Sequence, residues 1–383
     1  MNNLLLTYSP IPNEGFENYI YLLSDEAIDI NDVEKYKTCA LLIPYDYKNQ
    51  IEPKCFRSSH TSIFPKIFPI HQKIPFQAID HAKSLLLKNL NIKYLPDNSS
   101  IQLEFVRYEE YEKNFLHIQN YLKKGDIYEI NYCIPFVFTN IEINPIEMFF
   151  HLVNEMKAPF TAFFKINNEY ILSFSPERFL KKVGDTLFTE PIKGTSPRSN
   201  NPEEDEKNKQ YLKNNLKEKT ENAMIVDVAR NDLSRIAQKG TVKVEELFSI
   251  RTYATVHQMV SKISCKVKPQ TYFKDIIHAA FPMASMTGAP KIRAMQIAEE
   301  VEKFPRNYYS GTLGIYDNGN FDLSVLIRSI FYNHEKKQLI IWAGSAVTIY
   351  ANPENEYEEC LLKAEKLIHS VKNMALIPTL WSG

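Results

Sequence analysis

FTAFFKINNEYILSFSPERFLKKVGDTLFTEPIKGTSPR, residues Phe160–Arg198, decides the fold class. Within it FTAFFKI, YILSFS and DTLFTEPI are strand-length apolar runs separated by tight turn signals. A parallel crossover needs about a dozen residues or more, so links this short join antiparallel neighbours. IYEINYCIPFVF, just upstream at Ile127–Phe138, adds another strand-like run. The succession predicts an antiparallel meander and not a regular βαβ alternation.

Working outward, IQLEFVRYEEYEKNFLHIQNYLKKGD reads as a strand and then an amphipathic helix. Tyr111, Phe115, Ile118 and Leu122 lie at helical spacing, and Gly125-Asp126 stops the helix. Residues 1–100 mix short apolar runs with Pro, Tyr and Lys and carry no chemical motif. Downstream, the charged segment 199–220 predicts an exposed loop leading into a solvated helix. ENAMIVDVARNDL reads as helix, while TVKVEELF and RTYATVHQMVSKI each read as a strand. A helix is expected from Pro290 through KIRAMQIAEEVEKF. The segment from Tyr308 to Gly344 predicts three strands joined by an Asp-Asn-Gly turn and a second turn. A last helix begins near Asn352-Pro353. With no internal repeat and no low-complexity linker, residues 1–383 are expected to form one large mixed domain.

Composition narrows the class. The 383 residues are 44% hydrophobic and 24% charged with a net charge of −1, which offers no global attraction for nucleic acid. No apolar run approaches the roughly 20 residues that cross a bilayer, and MNNLLLTYSPIPNEG lacks secretory features. Cys39, Cys55, Cys133, Cys265 and Cys360 are scattered without CxxC or zinc spacing, so reduced thiols in a cytoplasmic protein are expected.

Several side chains are candidates for chemistry. Glu356, Glu359 and Lys363 share one face of the last helix, and Glu218 and Glu221 repeat the acidic i, i+3 spacing on another. Four such carboxylates suit a hard cation such as Mg²⁺, but E-x-x-E is equally the pattern of a solvated face. Lys193 is either an exposed turn lysine or a nucleophile, and the second role needs a neutral amine, obtained by burial or a nearby cation. Glu177 is either a general acid with a raised pKa or a turn carboxylate paired with Arg178. His257 shares a strand face with Tyr253, Thr255 and Met259, as a catalyst or as a hydrogen-bonded core histidine. Arg328, on an apolar strand, needs an anion, either a bound carboxylate or an internal partner.

The order of these signals resembles the chorismate-utilising enzymes. The matching segments are GDIYEINY, SPERF, EPIKGTSPR, ENAMIVDVARNDLSRI, TVHQMVS, FPMASMTGAPKIRAM, YYSGTLGIYDNGNFDLSVLIRS and AGSAVTIYANPENEYEECLLKAEKL, running from about Gly125 through the last helix. The resemblance implies an α/β sandwich of the α+β type, with two facing antiparallel-rich sheets flanked by helices and the active site between them. Within the family, PIKGT is similar to the aminodeoxychorismate synthases, whereas anthranilate and isochorismate synthases usually carry alanine at Lys193. It implies that Lys193 attacks C2 of chorismate, that Glu177 assists departure of the C4 hydroxyl, and that ammonia then adds at C4. Isochorismate and salicylate synthases place a water-activating lysine at the position of Glu129, where ammonia users usually have glutamine.

The resemblance also implies that Arg328 and Lys363 hold the two substrate carboxylates, helped by Tyr309, Gly344, Thr195 and Thr287. By the same resemblance Glu221 and Glu359 are direct Mg²⁺ ligands, Glu218 and Glu356 their supporters, and His257 lies near the substrate ring. Met283, Ala284, Ser345 and Ala346 stand at family glycine positions, where added Cβ atoms are expected to crowd a substrate that the backbone must approach closely. No glutaminase nucleophile motif, fused lyase segment or tryptophan-binding motif is found. A separate glutaminase, a downstream aminodeoxychorismate lyase and no tryptophan feedback are therefore expected. The implied function is aminodeoxychorismate synthase component I; the alternatives are an anthranilate synthase large component or a chorismate-binding protein without turnover.

Overall fold

The computed structural model describes residues 2–11, 14–53, 55, 64–90, 100–253 and 256–375. Every strand pairing in it is antiparallel, as the short links predict. The first sheet runs Lys66–Pro75, Tyr19–Leu23, Asn3–Tyr8, Phe160–Ile166, Glu169–Ser175, Ser329–Asn333, Gln338–Thr348 and Glu129–Thr139. Gln102–Phe105 and Gly288–Ala289 share the far edge of that last strand. The second sheet starts from the same Lys66–Pro75 and continues through Thr38–Ile43, Thr312–Asp317, Asn320–Val325, Arg178–Val183 and Thr186–Glu190. It ends with Val256–Lys266, flanked by Ile192–Pro197 on one side and Lys243–Thr252 on the other.

Strand alternation explains why the sheets face one another. Leu5, Phe160, Ala162 and Phe164 of the first sheet pack against Ala40, Leu42, Phe68 and Leu313 of the second. Leu4, Leu6 and Phe163 point the other way, onto a layer that includes Tyr108–Lys124, Pro145–Met156, Lys291–Val301 and Pro353–Met374. The outer face of the second sheet, with Leu41, Ile43, Leu180 and Ile263, is covered by Leu216–Ser234 and Phe273–Ala280. The expected sandwich is therefore present, and four strands from the first hundred residues complete it.

Local corrections follow from how the chain moves between layers. The expected single strand through VLIRSI is two strands: Asn320–Val325 lies in the second sheet and Ser329–Asn333 in the first. Arg328 sits in the crossing with φ 51°, a left-handed conformation that few side chains adopt without cost. RTYATVHQMVSKI is likewise broken, because Thr252 pairs with His257 across a tight hairpin. Tyr253 is thus not on the strand of His257 and Met259, and Thr255 lies outside the described residues. In the charged segment expected as a loop leading into a helix, the helix begins early, as Pro202–Asn214, capped by Asn201 and anchored by buried Leu212. The helix expected from Pro290 runs Lys291–Val301 with proline as its N-cap.

Candidate active site

Lys193 belongs to Ile192–Pro197, whose register against Val256–Lys266 slips between Ile192 and Thr195. Gly194 makes that irregularity possible at φ 87°, and a Cβ there would come within 2.9 Å of Glu218 Oε2. Lys193 is 8% exposed, so the exposed-turn reading fails. Its Nζ lies 2.5 Å from Oε1 of Glu129, itself 1% exposed. The expectation of a depressed amine is also overturned. Burial alone would lower its pKa, but the carboxylates of Glu129, Glu221 and Glu177 outweigh burial and raise it. The neighbours are anions where the sequence reading allowed for a cation.

Glu177 and Arg328 each sit in a short crossing where the chain passes from a strand of one sheet to the next strand in the other. Glu177 follows Pro176 between Glu169–Ser175 and Arg178–Val183, and Arg328 links Asn320–Val325 to Ser329–Asn333. The crossings are bonded side by side: Val325 N donates to Glu177 O, and Phe174 N to Arg328 O. Both side chains therefore start from the gap between the sheets. Burial pushes the Glu177 carboxyl up to about 7, against the opposing influence of the Ser285 hydroxyl, the Lys193 ammonium and the Ile192 amide. Arg178 is no partner for it, since Arg178 pairs with Glu190 and Asp322.

Arg328 keeps its charge uncommitted. Its guanidinium donates to the Lys363 carbonyl at 2.6 Å, and among the described residues no carboxylate stands within ion-pair distance. Burial lowers its pKa, as for a cation awaiting an anion. Lys363 donates to Gly344 O at 2.8 Å and pairs with Glu359. A side chain at Gly344 would meet Asn131 Oδ1 and Cys133 Sγ at 2.5 Å each. Tyr309, buried, stacks on Trp342 at 5.6 Å beside them.

The acidic residues of two helices also come together. Lys217 Nζ reaches Glu356 at 3.0 Å and Glu221 at 3.8 Å, bridging Leu216–Ser234 to Pro353–Met374. Glu221 and Glu356 are buried, against the solvated-face reading, and Oε1 of Glu221 and Oε2 of Glu356 have no hydrogen-bond partner. Burial raises Glu218, Glu356 and Glu221, the last to about 7; Glu359 is lowered because Lys363 outweighs its burial. Among the described residues no three His, Cys, Asp or Glu groups already stand in an ion-holding cluster. Lysine ammonium groups balance these carboxylates instead.

Two expected site residues spend their side chains on other partners, and a third is exposed. His257 is 1% exposed and spends one ring nitrogen on Thr252 Oγ1 at 2.9 Å and the other on Asp205 Oδ1 at 3.1 Å. No hydrogen bond or ion pair joins it to Lys193 or Glu177 among the described residues. Thr195 is exposed beside Gln258. Thr287 Oγ1 donates within its own turn, to Met283 O and Ala284 O. Met283, Ala284, Ser345 and Ala346 all lie outside the positive-φ region, so none of them needs glycine for its backbone conformation. Ser345 Oγ meets Tyr111 OH at 3.1 Å. Sequence reading missed Lys217, although its i, i+4 spacing to Glu221 was available. It also missed Asp205, for which no local signal exists.

The comparisons with known proteins agree with this geometry. The family model of the chorismate binding enzymes matches residues 56–369. Aminodeoxychorismate synthase component 1 of Salmonella typhimurium is 38% identical over 265 residues, 69% of this chain and 58% of that protein. The chloroplastic aminodeoxychorismate synthase of Arabidopsis thaliana is 37% identical over 75% of this chain and 32% of its own length. The chain thus matches little more than half of the first relative and a third of the second. The menaquinone-specific isochorismate synthase MenF of Escherichia coli shares the fold, with a TM-score of 0.77 at 15% identity over 97% of this chain and 89% of that one. With the family model matched over most of its length, the chain belongs to the chorismate-binding enzyme family.

Proposed function

We propose that this chain converts chorismate and ammonia to 4-amino-4-deoxychorismate, as the large component of an aminodeoxychorismate synthase. The observation that carries the reading is Lys193, buried on the PIKGT strand against Glu129 with Glu177 in electrostatic reach. Arg328 and Lys363 bind the two substrate carboxylates, and the uncommitted guanidinium supports that role. The Lys193 ammonium first gives up a proton to solvent; its neutral Nζ then bonds to C2 as Glu177, held protonated near neutrality, gives its proton to the C4 hydroxyl, which leaves as water. Ammonia adds at C4 and expels the lysine amine.

Glu221 and Glu359 would hold Mg²⁺, with Glu218 and Glu356 supporting; the unpartnered oxygens of Glu221 and Glu356 suit a hard cation. When bound, the ion neutralises the ring carboxylate and the charge developing on the departing hydroxyl. Lys217 and Lys363 must then yield part of their hold on these carboxylates. A separate glutaminase supplies ammonia, and a lyase acting next releases 4-aminobenzoate for folate synthesis in the cytoplasm. Among the described residues no helix is long and apolar enough to cross a membrane.

The test is one incubation of the purified chain with chorismate, Mg²⁺ and excess ammonium at mildly alkaline pH, with products weighed by mass spectrometry. Aminodeoxychorismate is expected. Anthranilate would overturn the assignment, and chorismate left unchanged even with a glutaminase and glutamine would overturn catalysis altogether.

A further inference from the structure

Glu177 shares a small cavity with Ala229, Leu233, Ala280, Met283 and Ala284. The space measures about 20 Å³, room for a single water. Met283 is 3% exposed and belongs to the same packed cluster as Phe179, Leu233, Ala280 and Phe281. Its backbone is held on both sides. Met283 O accepts from Thr287 Oγ1 at 3.1 Å and from Met286 N at 3.2 Å. Just upstream, Lys291 Nζ donates to Ala280 O at 3.0 Å and to Pro282 O at 2.8 Å.

We propose that Met283 is a positioning residue whose side chain walls this cavity and keeps water away from Glu177, the acid of the proposed reaction. The use of the acid rests on the aminase reading; the wall itself does not. Water solvates a carboxylate far better than a carboxylic acid, so each water admitted favours the ionised form. Burial alone holds the proton on Glu177, against the Ser285 hydroxyl, the Lys193 ammonium and the Ile192 amide. The other charged groups at the cavity are spent elsewhere: Arg178 on Glu190 and Asp322, and Asp232 on Lys291. None of them would keep the proton in place once water entered. Met283→Gly removes four side-chain heavy atoms, opening room for about two more waters at ~30 Å³ each.

The experiment titrates the Glu177 carboxyl by infrared difference spectroscopy, its band being the one that Glu177→Gln removes. The midpoint near 7 of the wild type should fall by about one unit or more in Met283→Gly. Met283→Leu, which conserves volume, should keep it. A second reading is kcat for aminodeoxychorismate formation in Met283→Gly divided by that of the wild type, a ratio from which the titration of Lys193 cancels. It should be level below the lower midpoint, fall about tenfold per pH unit between the two midpoints, and be level again above them. A purely structural Met283 would lower kcat by one factor at every pH.

An unmoved midpoint in Met283→Gly would overturn the inference, as would an equal shift in Met283→Leu. If Met283→Gly does not fold, Met283→Ala decides by the same midpoint. The two levels separate by product. A lowered midpoint in a chain that makes anthranilate sinks the aminase reading and leaves the wall standing. An unmoved midpoint in a chain that makes aminodeoxychorismate sinks the wall alone.

Discussion

Lys193 and His257 stand on adjacent, hydrogen-bonded strands, both buried, and the sequence marked both as catalytic. Their surroundings differ in one respect. His257 has a partner at each ring nitrogen, Thr252 and Asp205, so the ring itself awaits no ligand. Lys193 faces Glu129, whose second oxygen has no hydrogen-bond partner, and lies within the influence of Glu221, whose Oε1 also has no hydrogen-bond partner. Buried polar groups in a scaffold are satisfied, whereas a working site keeps some open for what it binds. By that measure Lys193 is the stronger candidate for the proposed reacting centre, while His257 ties Pro202–Asn214 to the sheet through Asp205.

The strongest challenge to this contrast is Lys193→Ala, expected to lower aminodeoxychorismate formation by roughly 10⁴-fold or more while calorimetry still detects chorismate binding. Turnover close to wild type would remove Lys193 from the chemistry.

A smaller effect is expected at Glu177, where Glu177→Gln should lower kcat by about 10²–10⁴-fold. Wild-type kcat should decline as pH rises through about 7, where Glu177 loses its proton, and the variant should lose that limb. Stability sharpens the same point. The folded-state pKa lies above the ordinary 4.5, so the native protein binds this proton more tightly than the unfolded chain. Its contribution is complete below 4.5 and is lost as pH rises through about 7, a swing on the order of 3 kcal/mol that Glu177→Gln should abolish. Denaturant unfolding at pH 4.5 and 8 measures it; an identical pH dependence in both proteins would contradict the buried-acid assignment.

The mildest catalytic effect is expected from His257→Asn: kcat within about threefold of wild type, with stability lowered by about 1–3 kcal/mol through the lost hydrogen bonds. A hundredfold loss of kcat at unchanged stability would break the contrast and return His257 to the catalytic centre.

The sandwich was legible because alternation and short turns are local properties. The meander from Phe160 to Arg198, the cap at Gly125 and the last helix from Pro353 all stand where their patterns put them. The break at Arg328 was not legible: FDLSVLIRSIFYN is apolar enough for one long strand, and only the position of the second sheet requires a crossing there.

The amino-acid sequence by itself determined the antiparallel architecture, the family motifs and the identity of the candidate groups, since these depend on residue type and short-range spacing. Only the tertiary structure decided which groups meet. It paired Lys193 with Glu129 across 64 residues, tied His257 to Asp205, brought the acidic stripes of two helices together through Lys217, and left Arg328 without a carboxylate partner among the described residues. The physical reason is that burial and charge pairing are set by chain segments far apart in sequence, and those neighbours determine each group's proton and its partner.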